Sequence, residues 1–254
     1  MNKKTLPVYI AAAIILLVGI WIVAKASNKD DGNEVANTNT TNSVAQPEPV
    51  NANATANANA NTAPTPSDAA CTRRFSDALL KNTKYSMNNK FVTLQIKDYG
   101  TIKIEMYPQD APKTVQNFVQ LAQSGFYDCL TFHRIAKGFV AQGGDPSGTG
   151  SGGSSIYGKE FEDELNPNTP SYKAGYQKGV VAMANRGPNT NTSQFFIMLG
   201  DNQLPHAYTI FGKVIEGQSV VDKIGQAPIT PQMGPTDGAP TEKIVIEKAI
   251  VSDK

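Results

Sequence analysis

Two stretches of the chain, residues 132–145 and 183–197, combine apolar strand residues with amides and cations. The first carries His133 and Arg134 close to Gln142, and the second carries amides among small and aromatic residues. Such a mixture suits a groove that binds an extended peptide, because amides can bond to its backbone while aromatic rings form a side-chain pocket. Taken alone, an arginine in such a stretch would be expected to pair with a surface carboxylate.

Other patterns that could carry chemistry have little support. Gly148, Gly150 and Gly153 satisfy G-x-G-x-x-G, but no helical pattern follows the third glycine, so we interpret the segment as a surface loop. The acidic cluster at 160–164 lacks calcium-loop spacing and is interpreted as a solvated face. The 2 histidines are too few for a typical metal site, and no G-x-S-x-G elbow supplies a nucleophile. We therefore expect no cofactor and no metal.

The charge balance argues against nucleic acid as a partner. The chain has 254 residues, with 23 basic and 22 acidic side chains and a net charge of +1. An electrostatic footprint for nucleic acid would need clustered Lys and Arg. The large apolar residues fall mostly at the N-terminus and after residue 74, which predicts one folded domain with extensions.

The N-terminus predicts a membrane-spanning helix. Lys3 and Lys4 precede residues 6–24, an uncharged run that is long enough to cross a bilayer. Positive charge before the span predicts that the N-terminus stays inside and the rest is exported. A cleaved signal peptide is the alternative, because Ala24-Lys25-Ala26 resembles a cleavage site. The expected location is thus the cell membrane, single-pass, with an extracytoplasmic domain, or secretion after cleavage.

The next segment, residues 27–70, is rich in Asn, Ala, Thr and Pro and holds few large apolar side chains. It cannot bury enough apolar surface to offset chain entropy, so we expect a disordered linker. Phe75, Ala78 and Leu79 are then spaced as one face of a short helix. The predicted domains are an anchor or signal sequence (1–26), the linker (27–70), a helical extension (71–89) and a folded domain (90–254).

The 2 cysteines, Cys71 and Cys129, leave two interpretations open. They could be unpaired thiols in the core or on the surface. They could also form one disulfide, which would make sense only if the domain lies outside the cytosol.

Residue periodicity predicts a mainly β fold. Residues 92–96 and 102–106 alternate apolar and polar side chains on either side of a turn at 98–100, which indicates a hairpin. Many short apolar runs follow, broken by Gly and Pro, and the stretch 244–251 is patterned as a final strand. Many short strands with few helices favour a closed or nearly closed antiparallel barrel.

Two helices interrupt the strands. Asp110 is the predicted N-cap of the first, Pro112 fits its first turn, and Gly125 can end it. A second helix is predicted over 219–224 and closed by Gly225.

The two groove stretches, together with residues 155–164 and 209–214, resemble the signature segments of the cyclophilin family, in a membrane-anchored bacterial-like form. The resemblance runs in order across roughly residues 90–252. It implies a closed eight-stranded antiparallel β-barrel capped by two helices, preceded here by a transmembrane helix and a disordered linker. It also implies isomerisation of the peptide bond before proline.

Residue by residue, the family's catalytic arginine falls on Arg134. The implied substrate-binding residues form a proline pocket and a set of polar peptide contacts: His133, Phe139, Val140, Gln142, Ala184, Asn185, Gln194, Phe196, Leu204 and Tyr208. Two positions depart from the family pattern. Tyr208 replaces a histidine common at the pocket rim, and Gln203 stands where many eukaryotic members have a tryptophan that matters for cyclosporin binding.

The resemblance implies a peptidyl-prolyl cis-trans isomerase acting on proline-containing polypeptides. The predicted location adds that these polypeptides are exported, and we expect the protein to be a monomer. The alternative is a binding module of the same fold, which holds proline-containing segments as a chaperone without turnover.

Overall fold

The alternating residues near position 100 form the first hairpin of a β-barrel. In the computed structural model, which describes residues 71, 75–86, 88, 90–158 and 160–253, strand β1 (Phe91–Ile96) pairs with β2 (Gly100–Met106). Six of their apolar residues point inward, with at most 3% of the surface of each exposed: Val92, Leu94, Ile96, Ile102, Ile104 and Met106. The predicted hairpin is confirmed.

The remaining strands of the described chain are β3 (Leu130–Ala136), β4 (Val140–Gly143), β5 (Val180–Met183), β6 (Phe195–Met198), β7 (Ile210–Glu216), β8 (Ile229–Gly234), β9 (Asp237–Pro240) and β10 (Ile244–Ser252). Eight of them close a circuit in the order β10-β1-β2-β7-β5-β6-β4-β3 and back to β10. The predicted closed eight-stranded antiparallel barrel is confirmed.

Strands β8 and β9 form a hairpin outside the circuit. Strand β3 is paired on one edge with β4, and its other edge is shared by two partners. Its first half, Leu130 to Phe132, pairs with β10, while Ile135 and Ala136 pair with β9. The sequence did not predict this hairpin, which lies beside the segment that carries Arg134.

The described residues form four α-helices: α1 (Asp77–Asn82), α2 (Pro112–Gln123), α3 (Pro170–Ala174) and α4 (Gln218–Gln226). Helices α2 and α4 are the two predicted ones, and both contribute buried residues to the core cluster inside the barrel. Phe118 of α2 lies 5.0 Å from Phe211 and 5.3 Å from Phe195, ring centre to ring centre. The helices therefore pack as lids on the barrel core.

The predicted cap of α2 is wrong. Ala111 is the N-cap residue and makes no side-chain cap bond. Glu164, 50 residues away in sequence, accepts from the amides of Lys113 and Thr114 at 3.0 and 2.8 Å. Asp110 instead accepts from the amide of Ser171, at the start of α3. A carboxylate suits this position, since helix N-termini carry unpaired N–H groups and partial positive charge.

The extension before the barrel is fastened to it by a disulfide between Cys71 and Cys129. Phe75 packs edge-on against Phe126, with 5.1 Å between ring centres. The predicted helix is present as α1, but its expected apolar face is wrong: none of its residues is buried, and Leu79 is 46% exposed. The disulfide and the partly buried side chains of Phe75, Leu80 and Tyr85, which pack against the core, hold this segment on the barrel.

The predicted anchor (1–26) and linker (27–70) lie outside the described residues. Within the part of the chain that is described, no helix combines the length and apolar content needed to cross a bilayer.

We expect Glu164→Ala to lower the free energy of unfolding by about 1–2 kcal/mol, because two helix amides lose their acceptor. Glu162→Ala is the matched control, since Glu162 makes an exposed ion pair with the side chain of Lys113. Loss of this ion pair should lower the free energy of unfolding by about 1 kcal/mol or less. Urea denaturation of both variants measures the difference, and equal losses would contradict the long-range cap.

The disulfide predicts that iodoacetamide leaves both cysteines unlabelled in denatured, unreduced protein, and that both react after reduction. Mass spectrometry of the labelled peptides gives the result. The Cys71→Ser variant serves as a positive control, since it frees Cys129 for labelling. Labelling of both residues without reduction would show that the bond is absent.

Candidate active site

Arg134 stands on the outer face of the barrel at an irregularity in strand β3. The register of β3 against β4 shifts between Phe132 and Arg134, so that Phe132 lies opposite Gly143 and Arg134 opposite Gln142. Phe132 and Ile135 remain in the interior core. Arg134 is only 7% exposed, which is unusual for a charged residue.

A chain of hydrogen bonds runs from Arg134 along the outer face of the sheet. Its Nη1 donates to Oε1 of Gln142 at 3.0 Å, and Nε2 of Gln142 donates to Oε1 of Gln194 at 2.9 Å. Nε2 of Gln194 donates in turn to the carbonyl oxygens of Gly150 and Gly152, at 3.0 and 2.7 Å. Gln142 and Gln194, two of the predicted contact residues, thus lie next to the arginine. The loop that contains Gly150 and Gly152 accepts the last bonds of this hydrogen-bond chain.

A carboxylate that the sequence did not single out completes the surroundings of the guanidinium. Nε of Arg134 donates to Oδ1 of Asp237 at 2.8 Å, and Nη2 donates to Oδ2 at 2.6 Å. Asp237 begins strand β9 of the outer hairpin. Its segment, rich in Gly and Pro, shows no periodicity, so no sequence signal marked it.

A second apolar cluster lies on the same outer face, separate from the barrel interior. Val140, Ala184 and Phe196 are buried members of this cluster, with 2%, 6% and 1% of their surfaces exposed. The rest of the predicted proline pocket packs against them half-buried: Phe139, Leu204 and Tyr208. Phe196 pairs across the sheet with Gln142, which places this cluster beside the arginine.

Tyr208 is fixed at the edge of this cluster. Its ring meets that of Phe196 edge-on at 5.6 Å. The hydroxyl of Tyr176 donates to the carbonyl of Tyr208 and accepts from its amide. Burial raises the pKa of Tyr208, and the nearby charge of Arg134 acts against that shift. Tyr208 is therefore a neutral phenol at physiological pH.

Other predicted contacts lie at the edges of the groove. The side chain of Asn185 donates to the carbonyl of Ala207 and accepts from the amide of Gly187, so it holds neighbouring loops. The amide of Ala184 donates to the carbonyl of Gln194. Gln203, where many eukaryotic cyclophilins have tryptophan, is exposed.

The sequence predicted only a surface loop around Gly148, Gly150 and Gly153, but hydrogen bonds to one carboxylate hold this loop in place. The Asp145 carboxylate accepts from four loop amides, those of Ser147, Thr149, Gly150 and Gly152, at 2.7 to 3.2 Å. Burial raises the pKa of Asp145, but these hydrogen bonds outweigh it and hold the pKa below its ordinary value. Asp145 is therefore a structural anion that holds the loop against Gln194.

The acidic cluster is exposed at Glu160 and Glu162, as a solvated face would be, but its residues also make specific contacts. Glu160 pairs with Arg186 at 2.6 Å, and Glu164 caps α2. Asp163 accepts from the amide of Asn189 and the side chain of Asn191. Among the described residues, no three His, Cys, Asp or Glu side chains gather closely enough to hold a metal ion.

His133 faces away from the proline pocket. It lines a cavity of about 330 Å³ together with Asp145, Ser147 and Lys243. Both ring nitrogens are buried without a hydrogen-bond partner. Burial lowers the pKa of His133, the charge of Asp145 raises it, and that of Arg134 lowers it further, with a net shift below 6.5. His133 is therefore neutral in the folded protein at physiological pH.

This shift predicts a loss of stability in mild acid. Below about pH 6.5 the unfolded chain binds a proton at His133 that the folded chain does not, so the free energy of unfolding falls as pH is lowered. Denaturation between pH 7.5 and 5.5 should show a shallower fall for His133→Gln than for wild type. Equal slopes in wild type and His133→Gln would refute the assignment.

The residues that match a known protein family are nearly the same as those that form the barrel. Residues 91–251 match the family model described as "Cyclophilin type peptidyl-prolyl cis-trans isomerase/CLD". The chain is 46% identical over 156 residues to peptidyl-prolyl cis-trans isomerase-like 1 of Neurospora crassa, covering 61% of this chain and 91% of that protein. It is 50% identical over 139 residues to the Homo sapiens protein of the same name, covering 54% and 81%.

A solved structure agrees. The cyclophilin-type peptidyl-prolyl cis-trans isomerase of Cryptosporidium parvum is 38% identical, with a TM-score of 0.57, and the match covers 64% of this chain and 97% of that one. A second crystal structure of that protein was determined in the presence of the dipeptide Ala-Pro.

These comparisons correct two expectations. The similar proteins come from a fungus, a mammal and a protozoan, so the bacterial-like affiliation finds no support. The predicted location, a cell membrane with an extracytoplasmic domain, is also wrong. The relatives from Neurospora crassa, Mus musculus and Homo sapiens are isomerase-like 1 proteins, and their names describe no membrane anchor.

The family itself is well supported. The match covers more than half of the chain and nearly all of the barrel, and the relatives are identical to it at close to half of the aligned positions. The chain belongs to the cyclophilin-type peptidyl-prolyl cis-trans isomerase family.

Proposed function

We propose that Arg134 is the catalytic group of this isomerase and that it accelerates rotation about the amide bond before proline in polypeptide substrates. The observation that carries the proposal is a buried guanidinium, held by Gln142 and Asp237, on the same face as the half-open apolar cluster with Phe139 and Phe196.

The reaction has a barrier of about 18–20 kcal/mol, because twisting the amide bond destroys its resonance. In the twisted state the proline nitrogen becomes pyramidal and gains a lone pair. An N–H donor directed at that nitrogen binds the twisted state more tightly than the planar one. Such differential binding of the transition state lowers the barrier without any covalent step.

Arg134 has donors left for this role. A guanidinium carries five N–H bonds and stays protonated. Three are engaged, one with Gln142 and two with Asp237. The remaining two, one on Nη1 and one on Nη2, can face a substrate. A cation in a site with little water interacts more strongly with a developing lone pair than one in bulk solvent.

The apolar cluster would hold the proline ring while the other end of the substrate rotates. Phe196 forms its buried base, and Phe139, Leu204 and Tyr208 are half-buried around it. An apolar surface of this kind suits a pyrrolidine ring better than a charged side chain. Gln142 and Gln194 would contact the peptide backbone beside it. We therefore propose proline-containing polypeptides as the substrate class.

Arg134→Ala should lower kcat by about 10²–10³-fold, the usual loss when one preorganised donor to a transition state is removed. KM should change little, because the apolar pocket remains and binds both states alike. The full-length chain, an Ala-Pro peptide and exchange spectroscopy by NMR provide the measurement.

Lys178→Ala is the matched control, since Lys178 is a half-exposed cation that pairs with Asp222 on α4, away from Arg134. It should retain the wild-type rate. If Arg134→Ala were as fast as wild type, the arginine mechanism would be wrong. If neither wild type nor Arg134→Ala accelerated exchange while both bound the peptide, the alternative of a non-catalytic binding module would be favoured.

A further inference from the structure

We infer that Asp237 is a positioning residue for catalysis: it fixes the plane and direction of the Arg134 guanidinium so that the free N–H bonds face the substrate. The inference rests on the proposed role of Arg134. It adds Asp237, which lies in a hairpin outside the barrel, to the residues that act in catalysis.

The contact between the two residues is bidentate. Nε and Nη2 of Arg134 each donate to a different oxygen of Asp237, at 2.8 and 2.6 Å. Two parallel charge-assisted hydrogen bonds fix the plane of a guanidinium, whereas a single bond leaves it free to rotate. The side chains are only 9% and 20% exposed, so water competes little for these bonds.

Gln142 alone could not impose this orientation. It accepts one bond, from Nη1, and its own amide is directed to Gln194. With only that contact, the guanidinium could turn about the Gln142 bond and redirect its other donors. Asp237 holds the opposite edge of the group, so the two acceptors together leave a single orientation.

The outer hairpin places Asp237 through its backbone. Asp237 lies opposite Ala136 and Gly238 opposite Ile135, so the pairing with β3 sets the carboxylate next to Arg134. The amide of Lys137 also donates to the carbonyl of Thr236 at 2.8 Å. These backbone bonds make the position of Asp237 independent of side-chain packing.

A glycine holds the hairpin in that register. A Cβ atom on Gly238 would collide with the carbonyl oxygen of Thr230 on the facing strand. Strand β8, in contrast, is exposed over most of its length, and Met233 is 45% exposed. Because the hairpin buries so little apolar surface, its clearest contribution to the site is the placement of Asp237.

The carboxylate also makes the burial of the arginine possible. A buried cation without a partner is strongly destabilising, and Gln142 supplies only a neutral acceptor. Asp237 compensates the charge while leaving the Nη donors on the substrate side unblocked. Asp237 therefore supplies both orientation and charge compensation. Neutralising it should lower kcat if orientation dominates, and should leave kcat unchanged or raised if orientation does not matter.

If orientation dominates, Asp237→Asn should lower kcat by about 10- to 100-fold, since a misplacement near 1 Å costs up to that much. An asparagine presents an N–H group to one of the arginine donors, so one of the two bonds is lost and the guanidinium turns. KM should stay within about twofold, because the pocket is unchanged. Asp237→Glu keeps both acceptor oxygens and should retain more of kcat than Asp237→Asn.

The decisive experiment combines Asp237→Asn with Arg134→Ala in the full-length chain and measures kcat and KM on an Ala-Pro peptide. In the Arg134→Ala background, Asp237→Asn should change kcat by less than about twofold, since residues that act as a unit are not additive. Asp222→Asn, which neutralises the partner of Lys178, is the matched control and should leave kcat unchanged. Thermal unfolding of each variant shows whether it is folded.

The outcomes separate the two claims. If Arg134→Ala is slow but Asp237→Asn has wild-type or raised kcat, the positioning role is overturned and the role of Arg134 stands. If Asp237→Asn slows the Arg134→Ala protein by the same factor as wild type, Asp237 acts through the fold and not through the arginine. If Arg134→Ala is as fast as wild type, the proposed function itself fails.

Discussion

The burial of one cation is the constraint on which the site depends. Arg134 is 7% exposed on a strand surface, so its hydrogen bonds must come from the protein. Strand β3 receives those acceptors from its two sides: Gln142 from β4 within the barrel, and Asp237 from β9 outside it. Closing the barrel on one side and adding a hairpin on the other therefore have a common result, which is a largely buried cation with a protein acceptor on each side.

The barrel strands serve the core and the groove together. In β6, Phe195 and Ile197 face the interior cluster while Phe196 and Met198 belong to the outer one. In β5, Val181 faces inward and Ala182 outward in the same way. All residues of both strands are buried, because alternating side chains meet two different apolar clusters. A groove built on such strands is rigid, since moving its base would disturb the core.

The sequence predicted the parts of this arrangement that local patterns encode. Period-two alternation gave β1 and β2, and Pro112 with one apolar face gave α2, because both signals arise within a few residues. Contacts between distant segments were missed. Glu164 rather than Asp110 accepts from the first amides of α2. Asp237 sits in an irregular hairpin 103 residues from Arg134, so only the closed fold could reveal their pairing.

In the proposed mechanism, Arg134 is held in advance for a substrate whose proline enters the neighbouring apolar cluster. A high-resolution crystal structure of the chain with a bound Ala-Pro peptide would show whether this is so. We expect the proline ring to lie against Phe139 and Phe196, an Nη donor of Arg134 to face the proline nitrogen, and the bonds to Gln142 and Asp237 to be unchanged. A peptide bound elsewhere, or an arginine that leaves Asp237 when the peptide binds, would contradict it.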